Sequence, residues 1–211
     1  MSTTIDQIAE FLDEQELSYG RHETDDAILL GLPIAPGITS YRDRAGDACF
    51  AFLIRLDEDG EFLSVSLPWT WCLADCPHKP AVFQALLNFQ ARKKLVRFDY
   101  DPDGGELRAN AEIGIEDSLL TAAQFDRLVR AVGSAVLELD PVIRHAMRTG
   151  EVDMDWLAES EDRREDAARL YDLAAQAGGL EAFERLACGE PLAADSADAD
   201  ELGGDCAAPT T

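Results

Sequence analysis

The feature that most constrains the fold is a change of hydrophobic period within residues 47–139. From Ala48 onward apolar side chains recur at every second position, as in a β-strand. Later segments return to the three- and four-residue spacing of an amphipathic helix. Turns that contain glycine, proline or aspartate separate these segments. Strands and helices in this order predict an α+β domain, in which helices pack on an antiparallel sheet.

The first predicted hairpin pairs residues 48–56 with residues 62–67. The turn between them is Asp57-Glu58-Asp59-Gly60, and Pro68 is expected to end the returning strand because proline cannot donate to the ladder. The Asp-x-Asp-Gly pattern resembles a fragment of a calcium loop, but such a loop needs its glycine at the sixth position. A hairpin turn therefore explains these carboxylates.

The second predicted hairpin pairs residues 96–100 with residues 107–113 across a turn rich in aspartate and glycine. A slip of one residue would move each apolar set to the wrong face, so the register is well specified. The short apolar run Ala27–Leu32 predicts a further strand. We therefore expect a sheet of about five strands.

The predicted helices begin at recognisable first turns. Thr4 and Gln7 match a capping box before a helix over residues 5–16. Pro80 suits the first turn of a second helix, which is expected to end near Gln90.

A third helix is predicted from Thr121, where a second capping-box match precedes an apolar stripe that runs to Leu139. Pro141 is expected to end or kink this helix after Asp140, because proline removes a helical hydrogen bond, and the alternative is a continuation by a further turn or two over residues 142–147. The predicted order of elements is α-β-β-β-α-β-β-α, with helices added at the C-terminal side. We expect three regions, which are an α+β domain over 1–147, a helical extension over 148–188 and a disordered acidic tail over 189–211.

Charge excludes several classes of partner. The 211 residues include 42 acidic and 18 basic side chains, which give a formal net charge of -24. Such a field repels phosphate backbones and anionic lipids, so neither nucleic acid nor a membrane is an expected partner. No signal peptide or apolar run long enough to span a bilayer is visible, so we expect a cytoplasmic protein. The five cysteines are unevenly spaced and do not predict a disulfide framework.

Four stretches of this sequence resemble the YbjN-like group of bacterial proteins, whose fold is that of type III secretion chaperones. They are residues 8–12, 57–60, 86–88 and 98–104. The resemblance covers about residues 4–147 and implies a non-enzymatic, often dimeric protein that binds other polypeptides or has a regulatory role. It implies neither catalytic residues nor a cofactor. We therefore expect a homodimer that acts as a protein-binding module and captures an extended or apolar segment of a partner protein.

The candidate partner-binding residues are Trp69, Trp71 and Leu73, which alternate after Pro68. Large amphipathic aromatic residues at the end of an element either close a core or line a groove for a partner. Tryptophan is a favoured anchor at protein interfaces. We predict that these three side chains contact the partner.

An alternative function rests on Cys72, Cys76 and His78, which lie within one loop. Thiolates and imidazole are zinc ligands, and His22, Asp75 or a partner chain could supply a fourth. The alternative is then a small zinc- or thiol-dependent enzyme. No second Cys/His pair follows at the spacing of a zinc finger, and no nucleophile or phosphate-binding motif is present, so we predict no metal site and no enzyme.

Overall fold

The structure is a computed structural model, and it describes residues 2–22, 27–34, 39–116 and 118–153. Within these residues the chain forms helices and strands in the following order. They are α1 (Ile5–Glu14), β1 (Tyr19–Arg21), β2 (Ala27–Pro33), β3 (Cys49–Asp57), β4 (Phe62–Cys72), α2 (Lys79–Gln90), β5 (Val96–Asp101), β6 (Glu106–Gly114) and α3 (Ala122–Thr149). The helical extension predicted beyond Asp153 and the acidic tail predicted over 189–211 lie outside the described residues.

The strands form one six-stranded sheet in the order β1-β2-β3-β4-β6-β5, and neighbouring strands are antiparallel. The predicted α+β class is confirmed, but the sheet has one strand more than expected. The additional strand is β1, whose three residues pair with β2. It was missed because three residues that include Gly20 are too short to show an alternating period.

The core lies between one face of the sheet and the helices. Phe50, Phe52 and Ile54 of β3 are fully buried on this face. Helix α3 contacts β4, β5, β6 and both other helices, so it closes the core along most of its length. Both predicted hairpins are confirmed, with Leu56 opposite Leu63 in the first and Phe98 opposite Ala109 in the second.

The N-terminal segment is fixed by residues that are distant in sequence. Thr4 caps α1 by accepting a hydrogen bond from the amide of Gln7. The Gln7 side chain does not complete the predicted capping box, because its Nε2 donates to the carbonyl of Leu120 at 3.2 Å. Buried Thr3 accepts from the amide of the same Leu120 at 3.1 Å. The start of the chain is thereby bonded to the segment that leads into α3.

Proline lies near two predicted ends of elements, and the end predicted for β4 at Pro68 is wrong. Strand β4 continues through Pro68 to Cys72 because a bulge accommodates the missing donor. Helix α3 continues past the exposed Pro141 to Thr149, since Ile143 and other residues beyond it are buried in the core. The second capping box, Thr121 with Gln124, is confirmed. None of the helices in the described ranges combines the length and the apolar character that crossing a bilayer requires.

Candidate protein-binding site at the bulge of strand β4

The candidate site is built on a bulge in β4. Leu67 pairs with Ala109 and Trp71 pairs with Leu107, so three residues of β4 face one residue of β6. Within the bulge, the Thr70 hydroxyl donates to the Leu67 carbonyl at 2.6 Å and accepts from the Ala109 amide at 3.1 Å. This side chain replaces hydrogen bonds that the interrupted ladder loses. The bulge is therefore a closed, hydrogen-bonded feature of the strand.

Trp69 at the centre of the bulge has a left-handed backbone, with φ of 54°. That conformation costs roughly 1–2 kcal/mol for a residue with a Cβ atom. Its amide donates to Oε1 of Glu106 at 3.1 Å, and Glu106 is only 5% exposed. Arg108 donates to the other oxygen of the same carboxylate at 2.8 Å. The buried carboxylate thus compensates part of the strain at Trp69.

The indole of Trp69 is half-buried and lies at the surface. The guanidinium carbon of Arg44 lies 4.1 Å from the centre of its ring, within the range of a cation–π contact. A Cβ atom at Gly104 would lie 3.2 Å from Cη2 of the indole, so the ring packs closely on the turn between β5 and β6. These two contacts fix the orientation of the Trp69 indole and leave part of it accessible to solvent.

Trp71 faces the opposite way and is 4% exposed. Its ring packs on Phe98 with a centroid distance of 6.0 Å, and its Nε1 donates to Oδ1 of Asp140 at 3.0 Å. Asp140 has no exposed surface and also accepts from Ser40 at 2.7 Å and from Arg144 at 3.0 Å. A buried carboxylate is stable only with partners of this kind. The Asp140 cluster therefore joins α3, the segment before β3 and the bulge.

Tyr41 and Cys49 lie on the same buried side. Burial raises the pKa of the Cys49 thiol to about 12, and the negative charges of Asp43 and Asp47 contribute. Burial also raises the pKa of Tyr41, with Asp43 and Asp140 as further causes. Both groups are therefore protonated at neutral pH. A thiol in this state is a poor nucleophile, since the thiolate is the reactive form.

Leu73 is fully buried, and its amide donates to the carbonyl of Gly105 at 2.6 Å. A Cβ atom at Gly105 would collide with the backbone of Ala74, so the two loops approach as closely as glycine allows. Of the three predicted partner-binding residues, Trp69 reaches the surface, whereas Trp71 and Leu73 lie in the core. Contact of all three with a partner stays a prediction, and the buried pair is placed to support Trp69.

The loop of the alternative function is arranged around the end of α3. The Sγ of Cys76 lies 3.8 Å from the carbonyl of Met147, and a Cβ atom at Gly150 would lie 2.7 Å from Nδ1 of His78. Cys72 is disulfide-bonded, so its sulfur is not a free thiol. In the part of the chain that the structure describes, no three His, Cys, Asp or Glu side chains are grouped so as to hold a metal ion.

The sequence analysis did not single out Asp140, Glu106 or Arg44. A signal existed for Asp140, since it follows Val136 by four residues and precedes Ile143 by three, which places a carboxylate on the apolar stripe of α3. A charged residue at such a position requires buried partners. No comparable signal marked Arg44, because its contact with Trp69 depends on the path of a loop.

No protein-family model matches the sequence, and comparison with the curated proteins also finds no match. Among solved structures, the chain is similar to YbjN, a candidate transcription regulator from E. coli. The two share 17% identity with a TM-score of 0.47, over 65% of this chain and 91% of that chain. It is also similar to a chain of the HopA1–SchA chaperone–effector complex, with 16% identity and a TM-score of 0.41, over 65% and 89% of the two chains. These are the two groups that the sequence resembles, and similarity at this level concerns architecture alone.

Proposed function

We propose that this chain is a non-enzymatic, cytoplasmic protein-binding module of chaperone-like or regulatory type. It captures an extended or apolar segment of a partner protein and acts as a homodimer. The observation that carries the proposal is Trp69, a surface indole held by a strained bulge and fixed from beneath by a buried carboxylate.

Three properties of Trp69 suit an interface anchor. Strained backbone conformations cluster at functional sites, where the surrounding structure maintains them. An indole has only two side-chain torsions, and packing on Gly104 already restricts them. Binding would therefore cost little side-chain conformational entropy. Tryptophan is also enriched among the residues whose truncation weakens complexes most. Trp71 and Leu73 act in this proposal by holding the bulge in place.

The surroundings of Trp69 favour an extended segment as the ligand. The register between β3 and β4 ends at Leu53 opposite Ser66, shortly before the bulge. Beyond that pair the two strands are no longer joined in register, and the proposed segment would lie along the surface there in an extended conformation. A partner segment in this position would lie beside Trp69. The indole would then pack against an apolar side chain of the partner.

The charge of the chain favours a segment with basic residues. A net charge of -24 attracts positively charged partners and accelerates their encounter. Acidic side chains near the bulge include Asp43, which lies in the segment before β3, and Asp101, which is the last residue of β5. Charge would select the partner and set the rate of association, whereas Trp69 would contribute affinity.

The proposal is tested by purifying crosslinked complexes from cells, identifying the partner by mass spectrometry and measuring binding of its segments by calorimetry. Trp69→Ala is expected to weaken binding by about 2 kcal/mol or more, which is roughly thirtyfold in the dissociation constant. Leu119→Ala is the matched control, because Leu119 is a large apolar side chain that is 47% exposed and lies before α3. Equal affinity of the Trp69→Ala variant and the wild-type protein would contradict the proposal.

A further inference from the structure

Arg44 contacts Trp69 and has no ionic partner of its own among the described residues. It is exposed, and its guanidinium carbon lies 4.1 Å from the centre of the indole ring. Other arginines of this acidic chain pair with carboxylates, as Arg97 does with Glu112. In the ranges that the structure describes, neither a hydrogen bond nor an ion pair engages the Arg44 guanidinium. Its N–H groups are therefore available to a ligand.

A tight turn before β3 fixes the backbone that carries Arg44. The Gly46 amide donates to the Asp43 carbonyl at 3.1 Å, so Arg44 is the second residue of a four-residue turn. The Oδ1 atom of Asp43 accepts from the amides of Ala45 at 2.9 Å and of Asp47 at 2.8 Å. The turn thus occupies the carboxylate that directly precedes Arg44, and it holds the arginine beside the bulge.

A guanidinium in this position suits a carboxylate ligand. Its N–H donors form a rigid planar fork, which matches the two oxygens of a carboxylate with two parallel hydrogen bonds. Contact with the Trp69 indole also restricts the long arginine side chain, so a ligand would order less of it on binding. A cation of the partner would instead have to displace Arg44 from the ring. It would exchange one cation–π contact for another without a gain.

The charge of the whole chain makes Arg44 a selective contact. A net charge of -24 repels a segment that is acidic throughout. One carboxylate within a neutral or basic segment would be attracted only where a cation of this chain lacks an ionic partner. Charge pairs of this kind fix the register of an interface more than its overall affinity. Arg44 is thus placed to decide how a segment aligns along the bulge.

We propose that the Arg44 guanidinium binds an aspartate or glutamate side chain of the partner segment, beside the apolar side chain that packs on Trp69. This inference rests on the proposed function and names the residue that sets the register of the bound segment. Side chains on one face of an extended segment are two residues apart, or about 6.6 Å. The recognised pattern is therefore an acidic and an apolar residue separated by one position.

Peptide selection on the full chain tests the pattern. The probe is a displayed library of random peptides without a free C-terminus, so that any carboxylate they share belongs to a side chain. It is selected in parallel on the wild-type protein, Arg44→Gln and Arg55→Gln. The last variant is the matched control, because Arg55 is half-exposed on β3 and its replacement changes the net charge equally.

Peptides selected on the wild-type protein and on Arg55→Gln are expected to share the acidic and the apolar position. Those selected on Arg44→Gln are expected to keep the apolar position and lose the acidic one. The same acidic position in both sets would overturn the proposal, and so would its absence from the wild-type set. A shared basic residue, with tighter binding by Arg44→Gln, would show that a partner cation displaces Arg44 instead.

Calorimetry with one selected peptide then tests the contact itself. Replacing its acidic residue by the corresponding amide is expected to weaken binding to the wild-type protein about tenfold and to leave binding to Arg44→Gln unchanged. Arg44→Lys keeps the charge without the planar fork, so its affinity for the acidic peptide should lie between those two. An equal loss on the wild-type protein and Arg44→Gln would refute the contact.

Failure of the proposed function would look different. If the wild-type protein selected no peptide, or if Trp69→Ala bound the selected peptides as tightly as the wild-type protein, the binding role of the bulge and the Arg44 contact would both be wrong. Binding that requires Trp69 but is insensitive to Arg44 would overturn this inference alone.

Discussion

Trp69 and Trp71 lie two residues apart on one strand, yet they face opposite environments. Trp71 is enclosed between Phe98 and the Asp140 carboxylate, whereas Trp69 meets solvent and an exposed arginine. In a regular strand, residues two apart point to the same face. The bulge breaks that relation by inserting a left-handed residue between the paired positions. One irregularity thus assigns a structural role to one tryptophan and an accessible position to the other.

The largest difference between the two is expected in stability. Trp71→Ala should lower the free energy of unfolding by about 3–5 kcal/mol, because it leaves a cavity in the core and removes a donor from Asp140. Trp69→Ala should change it by less than about 1 kcal/mol. Urea unfolding followed by circular dichroism measures both. Equal losses would show that the two side chains are buried alike.

Removing the charge that holds Trp71 should have a smaller effect. Asp140→Asn should destabilise the protein by about 3 kcal/mol, because an amide offers one acceptor oxygen where three side chains donate to two. The control is Asp126→Asn on the same helix, where a half-exposed pair with Arg130 contributes little. Thermal unfolding of the two variants gives the comparison. A near-neutral Asp140→Asn would mean that Trp71 is fixed by packing alone.

The buried side should also respond to alkaline pH. The folded pKa of Cys49 is about 12, above its ordinary value of 9.0, so the native state holds a proton that the unfolded chain releases. Stability should therefore be complete below about pH 9 and fall as pH rises toward the folded pKa, by up to about 1.4 kcal/mol per pH unit. Denaturant titrations at several pH values measure this slope. Cys49→Ala should flatten the pH dependence, and an unchanged slope would assign it to other groups.

The smallest expected effect tests the backbone of Trp69. Trp69→Gly should be more stable than Trp69→Ala by about 1 kcal/mol, because glycine adopts a left-handed conformation without steric cost. In most strands the order is reversed, since glycine weakens them. Comparing the two variants by urea unfolding isolates the strain, as both lack the indole. Greater stability of the alanine variant would argue against the left-handed bulge.

The alternating apolar residues allowed both hairpins and the α+β class to be predicted. The alternation of apolar residues and the residues of the turn are local properties of the sequence. They are sufficient to specify the register that places Phe98 opposite Ala109, and no information from the rest of the chain is needed. The bulge could not be predicted, because Pro68 has the same local signature whether it ends a strand or lies in an irregularity. What decides between them is two hydrogen bonds across to β6, from the Trp69 amide to Glu106 and from the Ala109 amide to Thr70, which sequence spacing does not reveal.

The candidate site could be predicted only in part, because it too depends on the bulge. The alternation of Trp69, Trp71 and Leu73 indicated the segment in which the structure has the bulge. It could not separate the surface residue from the buried ones, because the inserted residues change which face each side chain meets. Asp140 lies 69 positions from Trp71 in sequence, so the partner of the buried indole depends on the packing of α3.

The bonds between the N-terminal segment and Leu120 also bear on the order of events during synthesis. Thr3 and Leu120 are 117 positions apart, and Gln7 reaches the same residue over 113 positions. Helix α1 has its own cap at Thr4, but its ten residues are too few for a stable isolated helix, so it depends on docking. Its docking must wait until Leu120 has been synthesised, and all six strands of the sheet precede that residue. Helix α1 is therefore synthesised well before the segment that fixes it, and its apolar residues lack that partner throughout the interval.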